Sequence, residues 1–430
     1  MKRIINTKIC PILSAKIMSQ SNEELPVIVQ FKNENTHLEN MIMDLSPEVK
    51  LSLPIINGIA CNLTTEDVYR LANSPDIEYI SFDSKVFTQL DISVPTTKAQ
   101  LPHQLGYKGK GITIAVIDTG VAPHSDLTKP NNRIIGFKDF INNKSTPYDD
   151  NGHGTHVAGI IAGNGYSSRG KYTGIAPESN ILAIKALDKN GGGTTSNIVA
   201  ALSYVLETRE KYNTKILNLS FGSPANNSCS KDPLCKAVKI ADNSGLIVVA
   251  AAGNSGPNPK TILSPGISPN VITVGAVDHK RTVDPSDDTI ANFSSRGPTR
   301  EGLAKPDVVA PGVNINSLSN INLDGYRPLS GTSMATPLVS GAVALLLNKH
   351  GSLSSRDVKK KLMDSCIDLK EEKENQGAGL VNLQNLFFDE YEREDLYEGN
   401  GKIKSCSSKD GLIENLLVLL FILFLLDKDY

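Results

Sequence analysis

The 430 residues contain no tryptophan, and Phe and Tyr together make up only 5%. Neither sign of charge is in excess: Lys and Arg number 44, Asp and Glu 46, for a net charge of −2. With few aromatics and no basic excess, nothing marks a nucleic-acid partner. Cysteine is scarce, at positions 10, 61, 229, 235, 366 and 406. No zinc-ligand spacing links these six. Cys229 and Cys235 are close enough in sequence to bridge, but reduced thiols are expected of a chain kept in the cytosol. There is no internal repeat and no low-complexity linker. There is also no apolar run of the ~20 residues that a membrane-spanning helix needs. The run from Leu416 to Leu426 stops at eleven and is followed at once by Asp427-Lys428-Asp429. It reads as an association tail against a membrane or an assembly surface. The charged stretch 389–410 would be its tether, and a buried terminal element is the alternative. The N-terminus Met1–Lys8 is basic, yet Lys8 and Lys16 interrupt any apolar core and no clean leader-cleavage site follows. A cytoplasmic location is the expectation.

What is present is concentrated in four short segments. Gly331-Thr332-Ser333-Met334-Ala335-Thr336-Pro337 leads into an apolar helical run, Leu338–Leu347. The pattern predicts a Gly-flanked turn that presents Ser333 in the first turn of a buried helix. Pro337 is expected in that first turn, where a missing N–H costs nothing. A lone Ser there would be read as a helix cap, but other segments supply partners. Ile112–Ile117 is an apolar, β-branched run closed by Asp118, as expected of a parallel strand buried on both faces. Asn151-Gly152-His153-Gly154-Thr155-His156-Val157-Ala158-Gly159 brackets His153 with glycines, which permit close backbone approach. His153 and His156 also sit three apart, but no Glu or Cys motif supports a metal reading. Leu246–Ala251 is another buried strand, running into Ala252-Gly253-Asn254. Asp, His and Ser together form an acyl-transfer set: the His takes the serine's proton and a buried carboxylate fixes the His tautomer. Asn254 at a strand end would donate to the tetrahedral oxyanion.

Val-Ile-Asp-Thr-Gly at 116–120, Asn-Gly-His-Gly-Thr-His-Val-Ala-Gly at 151–159 and Gly-Thr-Ser-Met-Ala-Thr-Pro at 331–337 occur in this order. With these motifs the chain resembles the subtilisin-like serine proteases, from about Gly106 to about Leu383. Asp-Pro-Leu-Cys at 232–235, Ser-Pro-Gly-Ile-Ser-Pro-Asn at 264–270 and Phe-Ser-Ser-Arg-Gly-Pro-Thr at 293–299 resemble the intracellular AprX-type branch. The resemblance implies an α/β fold with a doubly wound, mostly parallel sheet. It makes Asp118 the orienting acid, His153 the general base, Ser333 the nucleophile and Asn254 the oxyanion donor, while His156 packs locally. It implies protein or peptide substrates laid along Gly191-Gly192-Gly193 and Ser220-Phe221-Gly222. Those last three residues and Ala251-Ala252-Gly253 would wall an uncharged pocket of apolar or broad preference. Leu263 would lie near its floor, where the family often has Gly. The chemistry needs no cofactor. A structural calcium is implied, with Asp126 in His124-Ser125-Asp126-Leu127 as one ligand, although the loop 164–172 departs from the secreted enzymes in length.

Residues 24–90 read as a separate α+β domain. Val27–Phe31, Ile59–Leu63 and Ile77–Phe82 are strands. A helix falls near Leu38–Met43, and another, Val68–Ala72, follows a Thr64/Asp67 capping pair. This domain resembles the family's propeptide, an inhibitor and folding chaperone; a large parallel sheet folds slowly enough to profit from a template. The expected division is 1–23 extension, 24–90 propeptide-like domain, 91–388 catalytic domain and 389–430 tether and tail, with self-processing between about Val86 and Val94. The motifs argue against two rival classes. A pseudoprotease that only binds peptides would have lost catalytic residues, and all four are intact. An esterase would carry Gly-x-Ser-x-Gly, whereas Ser333 lies in Gly-Thr-Ser-Met-Ala.

Overall fold

The computed structural model describes residues 8, 9, 13, 17, 24–32, 42, 49–53, 57–82, 93–225 and 228–387. The expected tether and tail, the connector 83–92 and most of 1–23 lie outside them. The chain divides into two compact units, Met1–Thr88 and Gln89–Tyr430.

In the first unit, β1 (Leu25–Phe31) alternates buried and half-buried residues, the period-two pattern of a sheet with one covered face. It pairs antiparallel with β3 (Gly58–Leu63) and β4 (Ile77–Phe82), and β2 (Val49–Leu53) adds to β3, giving the order β2-β3-β1-β4. Val27, Val29, Phe31, Ile59 and Ile80 form the core with Val68 and Leu71 of α1 (Thr65–Ala72). Thr64 caps α1: its hydroxyl oxygen accepts the Asp67 N–H at 3.2 Å and its O–H donates to the Asp67 carboxylate at 2.6 Å. Two features differ from the expectation. The edge strand β2, five residues long, was not anticipated. Ile9, Leu13 and Ile17 are buried in this same core, so they are not part of a separate extension. Of the helix expected near Leu38–Met43 only Ile42 is described, and it is buried here.

The second unit is built on an eight-stranded sheet. In chain order its strands are β5 (Thr113–Asp118), β6 (Ile134–Asp139), β7 (Asn180–Lys185), β8 (Thr214–Leu219), β9 (Ile247–Ala251), β10 (Ile272–Asp278), β11 (Thr289–Ile290) and β12 (Val308–Pro311). They run β11-β10-β9-β8-β5-β7-β6, with β12 also on β10, and every pairing is parallel except β10 with β11. Every residue of β5 is buried. Ile114 and Val116 face one apolar core, Ala115 and Ile117 the other, as alternation requires of a strand covered on both sides. On the first face lie α2 (His153–Ala162) and α5 (Thr332–His350); on the second lie α3 (Thr195–Tyr212) and α4 (Pro233–Asn243). From β5 the chain crosses to the edge strand β6 and returns to β7 between them, then passes to the other side of β5 through β8, β9 and β10. That reversal opens a crevice beyond the carboxyl ends of the central strands. A hairpin of β13 (Ile315–Leu318) and β14 (Tyr326–Leu329) precedes α5. Among the described residues no helix is long and apolar enough to cross a membrane.

Candidate active site

Asp118 is the last residue of β5 and is fully buried. Its Oδ1 accepts the Thr119 N–H at 2.7 Å and the His153 Nδ1–H at 2.7 Å. A carboxylate can only accept, so Nδ1 carries the proton, and in the neutral imidazole Nε2 keeps its lone pair. His153 opens α2 beside the Asp118-Thr119-Gly120 turn, and the two segments are in contact. Thr119 Oγ1 accepts the Gly154 N–H at 2.9 Å. A Cβ on Gly154 would lie 2.1 Å from the Gly120 carbonyl oxygen, so only glycine fits there. Burial pulls the His153 pKa down, but the charge and hydrogen bond of Asp118, with the charge of Asp149, outweigh it, and the net shift is upward.

Two residues that hold this pair were not singled out in the sequence. Asp149 Oδ1 accepts N–H groups from Asn151 and Gly152, and its Oδ2 accepts the N–H and O–H of Thr155. It therefore caps α2 from outside the helix, satisfying donors that the first turn leaves open. An Asp just before a Gly-rich helix start was the available signal. Lys185, fully buried at the end of β7, donates to the carbonyls of Thr119 and Leu187 at 2.7 and 3.0 Å and to Asp150 at 2.6 Å. No local signal distinguishes it from a surface lysine at a strand end.

His156 behaves differently from His153. Its Nε2 lies 3.0 Å from both the Ile315 and the Arg327 carbonyl oxygens. Burial, followed by the neighbouring His153 and Arg327 charges, pushes its pKa down to about 3. It is a neutral tie between α2 and the β13–β14 hairpin. Among the described residues no group of three or more His, Cys, Asp or Glu is placed to hold a metal.

Ser333 is the second residue of α5, after the N-cap Gly331. Its O–H donates to the Ser220 carbonyl at 2.8 Å, so the proton must be redirected to reach His153. Pro337 differs from the expectation: it is the sixth residue of α5, not a first-turn residue. Its missing N–H leaves the Ser333 carbonyl without the usual partner four residues on. Asn254, exposed just beyond β9, has a fixed amide. The N–H and O–H of Thr332 both meet Asn254 Oδ1 at 2.9 Å. Because a backbone N–H can only donate, the atom it meets is the oxygen, and Nδ2 is turned away for another acceptor.

Ser220-Phe221-Gly222 continue from β8 beside the Ser333 hydroxyl. Gly191-Gly192-Gly193 form an exposed turn in which Asp188 Oδ1 accepts the Asn190 and Gly192 N–H groups. Asn151 Nδ2 reaches the Lys189 carbonyl at 3.0 Å, which ties that turn to the residues before His153. The Asp126 carboxylate, expected as a calcium ligand, is engaged by protein donors. Its Oδ1 accepts the Ser167 N–H at 2.8 Å and its Oδ2 the Tyr326 O–H at 2.8 Å. The Arg133 guanidinium donates to the backbone carbonyls of Asp126, Ala162 and Ser179. The expected calcium ligand is therefore satisfied by protein donors, with a side-chain cation on the carbonyls around it.

Residues 109–383 match the family model Peptidase_S8, described as the subtilase family. "Serine protease AprX" of Bacillus subtilis (strain 168) is 39% identical over 394 residues, covering 85% of this chain and 88% of the relative. "Subtilisin E" of the same organism is 32% identical over 385 residues, covering 86% and 93%. Among solved structures, "Sphericase" superposes with a TM-score of 0.56 at 34% identity, covering 64% of this chain and 92% of the other.

Proposed function

The chain belongs to the subtilase family and is a serine endopeptidase, and from that premise we propose how its own residues divide the work. Ser333 is the nucleophile and His153 Nε2 the base that takes its proton. Asp118 holds the imidazole in the Nδ1–H tautomer and stabilises the imidazolium. The hydroxyl oxygen attacks the scissile carbonyl carbon. The oxyanion that forms is met by Asn254 Nδ2 at the positive end of α5. His153 then protonates the leaving amine, and water hydrolyses the acyl-enzyme by the same route. One observation carries the reading: the 2.7 Å bond from His153 Nδ1 to the buried Asp118, which leaves Nε2 as a base. The direct test is a fluorophosphonate probe, which phosphonylates an activated serine. Mapping the labelled peptide should return the segment with Ser333; a label elsewhere, or none, counts against the assignment.

The Asn254 role predicts a separable effect. An oxyanion exists only near the transition state, so Asn254→Ala should lower kcat by about 10²–10³ and leave KM nearly unchanged. A change confined to KM would refute it.

Substrate would lie extended along Gly191–Gly193 and Ser220–Gly222, adding its backbone as a strand does. The first unit, Met1–Thr88, would serve as an inhibitory and folding-assisting propeptide, removed by the chain's own activity between about Val86 and Val94. Its support is a compact four-stranded domain with its own core. Intact-mass measurement of freshly purified protein should show the shortened form for wild type and the full-length form for Ser333→Ala. Full-length chain in fully active wild-type preparations would make the first unit a permanent domain.

A further inference from the structure

The fold brings the side chains of Cys229 and Cys235 together. Residues 228–232 form a tight turn in which Lys231 and Asp232 both donate their N–H to the Ser228 carbonyl, at 2.9 and 3.0 Å. The turn delivers the chain to α4, where Asp232 is the N-cap and its Oδ1 accepts the Cys235 N–H at 3.0 Å. Cys235 is thereby fixed in the first turn of a helix. Cys229 packs with it in a small apolar cluster that also holds Ala225, Ala252, Ile262 and Ile267. The two thiols are in hydrogen-bonding contact, and both are free.

The pair differs in access. Cys235 is 1% exposed, whereas Cys229 is half-buried. Burial, followed by the bond to the Cys229 thiol, pushes the pKa of Cys235 up, so it is held as a thiol. A reagent from solution therefore meets Cys229 first. The surroundings belong to the framework of the catalytic unit. Asp232 Oδ1 also accepts the Ser264 O–H at 2.9 Å, and Ser264 exchanges two backbone bonds of 2.9 Å with Ser223. The turn 228–232 is joined to this framework through α4, and a covalent link between the two sulfurs would fasten its other end.

We propose that Cys229 and Cys235 are a thiol–disulfide exchange site, oxidised by low-molecular-weight disulfides such as oxidised glutathione to a reversible bridge that staples residues 228–232 to α4. The Cys229 thiolate attacks one sulfur of the small disulfide and releases its first thiol, leaving a mixed disulfide. The Cys235 sulfur then attacks the Cys229 sulfur and releases the second. Two protein thiols become one disulfide, the small disulfide is reduced, and both protons end on the released thiols. The bridge restricts the unfolded chain more than the folded one, in which the two sulfurs already touch, so it stabilises the catalytic unit.

The test is to incubate the full chain with oxidised glutathione at about pH 8, where exposed thiols are appreciably ionised. Peptide mapping should return a linked pair from either side of Lys231, lighter than the two free peptides by about 2 Da, the two hydrogens given up. Dithiothreitol should restore the thiols. The melting temperature of the bridged form should stand higher by about 3 °C and fall back on reduction. Cys229→Ser, a change at a half-buried position, should form no bridge and show no such shift. Cys235→Ser should keep glutathione on Cys229 as a stable adduct, because the second attack is lost. Wild type that holds glutathione on Cys229 without bridging, or that leaves both thiols unmodified, overturns the site. A bridge that forms without raising the melting temperature overturns the staple.

Discussion

Ser333→Ala should hydrolyse peptide bonds about 10⁶-fold more slowly than wild type, a magnitude taken from the related subtilisin triad. The loss is large because the hydroxyl oxygen is the atom that bonds to the scissile carbon, and no second nucleophile replaces it. It is not total, because Asn254 and the peptide-binding edges remain and still stabilise the transition state. The substitution deletes one oxygen, bonded among the described residues to the Ser220 carbonyl, at a half-buried position. Melting temperature should therefore change little. Casein hydrolysis, fluorophosphonate labelling and thermal unfolding of wild type and variant decide the matter. A folded Ser333→Ala protein that digests casein within tenfold of the wild-type rate would refute the nucleophile. A variant that loses activity because it fails to fold would instead place Ser333 in the structural framework of α5.

The parts of this site that were legible in the sequence are those whose cause is local. The apolar run closed by Asp118 gives a strand whose last residue stands at the sheet's carboxyl edge. Gly154 is required by a backbone approach to Gly120, and glycine spacing is visible in any sequence. Asn254 follows a buried strand directly. What was missed depends on partners far along the chain. Lys185 looks like an ordinary lysine until Thr119, Asp150 and Leu187 converge on its ammonium group. Arg133 satisfies carbonyls at 126, 162 and 179, which no pattern near residue 133 announces. The carboxylate of Asp126, the expected calcium ligand, likewise takes its donors from Ser167 and Tyr326, far along the chain. Leu263 could be placed near the pocket floor, but its packing depends on Gly222 and Gly253, which lie just beyond the ends of β8 and β9. Pro337 was expected in the first turn together with Ser333; the structure begins α5 at Thr332, so Ser333 lies in that turn and Pro337, the sixth residue, lies beyond it.

Asp118→Asn should lower kcat/KM by about 10⁴ and move its acid limb to lower pH. The first effect follows from the tautomer. Asp118 Oδ1 accepts the His153 Nδ1–H and the Thr119 N–H together. An Asn amide can present its oxygen to only one arrangement, and when its NH₂ faces the ring, Nδ1 must accept and Nε2 carries the proton. A protonated Nε2 cannot take the Ser333 proton. The second effect follows from charge. In wild type the carboxylate favours imidazolium strongly enough to overcome burial, so the His153 pKa stands above its usual 6.5. The base must be neutral, so activity rises with pH through that raised value. Without the carboxylate charge, burial dominates and the pKa falls, and the residual activity should reach its plateau at lower pH than wild type. The readout is kcat/KM across pH 5–9 for both proteins, at constant ionic strength because Asp149 also acts on His153 through its charge. A loss below about tenfold would remove Asp118 from the triad. A large loss with an unmoved or upward-shifted acid limb would mean that Asp118 orients the ring without setting its charge, and that Asp149 is the carboxylate that holds the His153 pKa up.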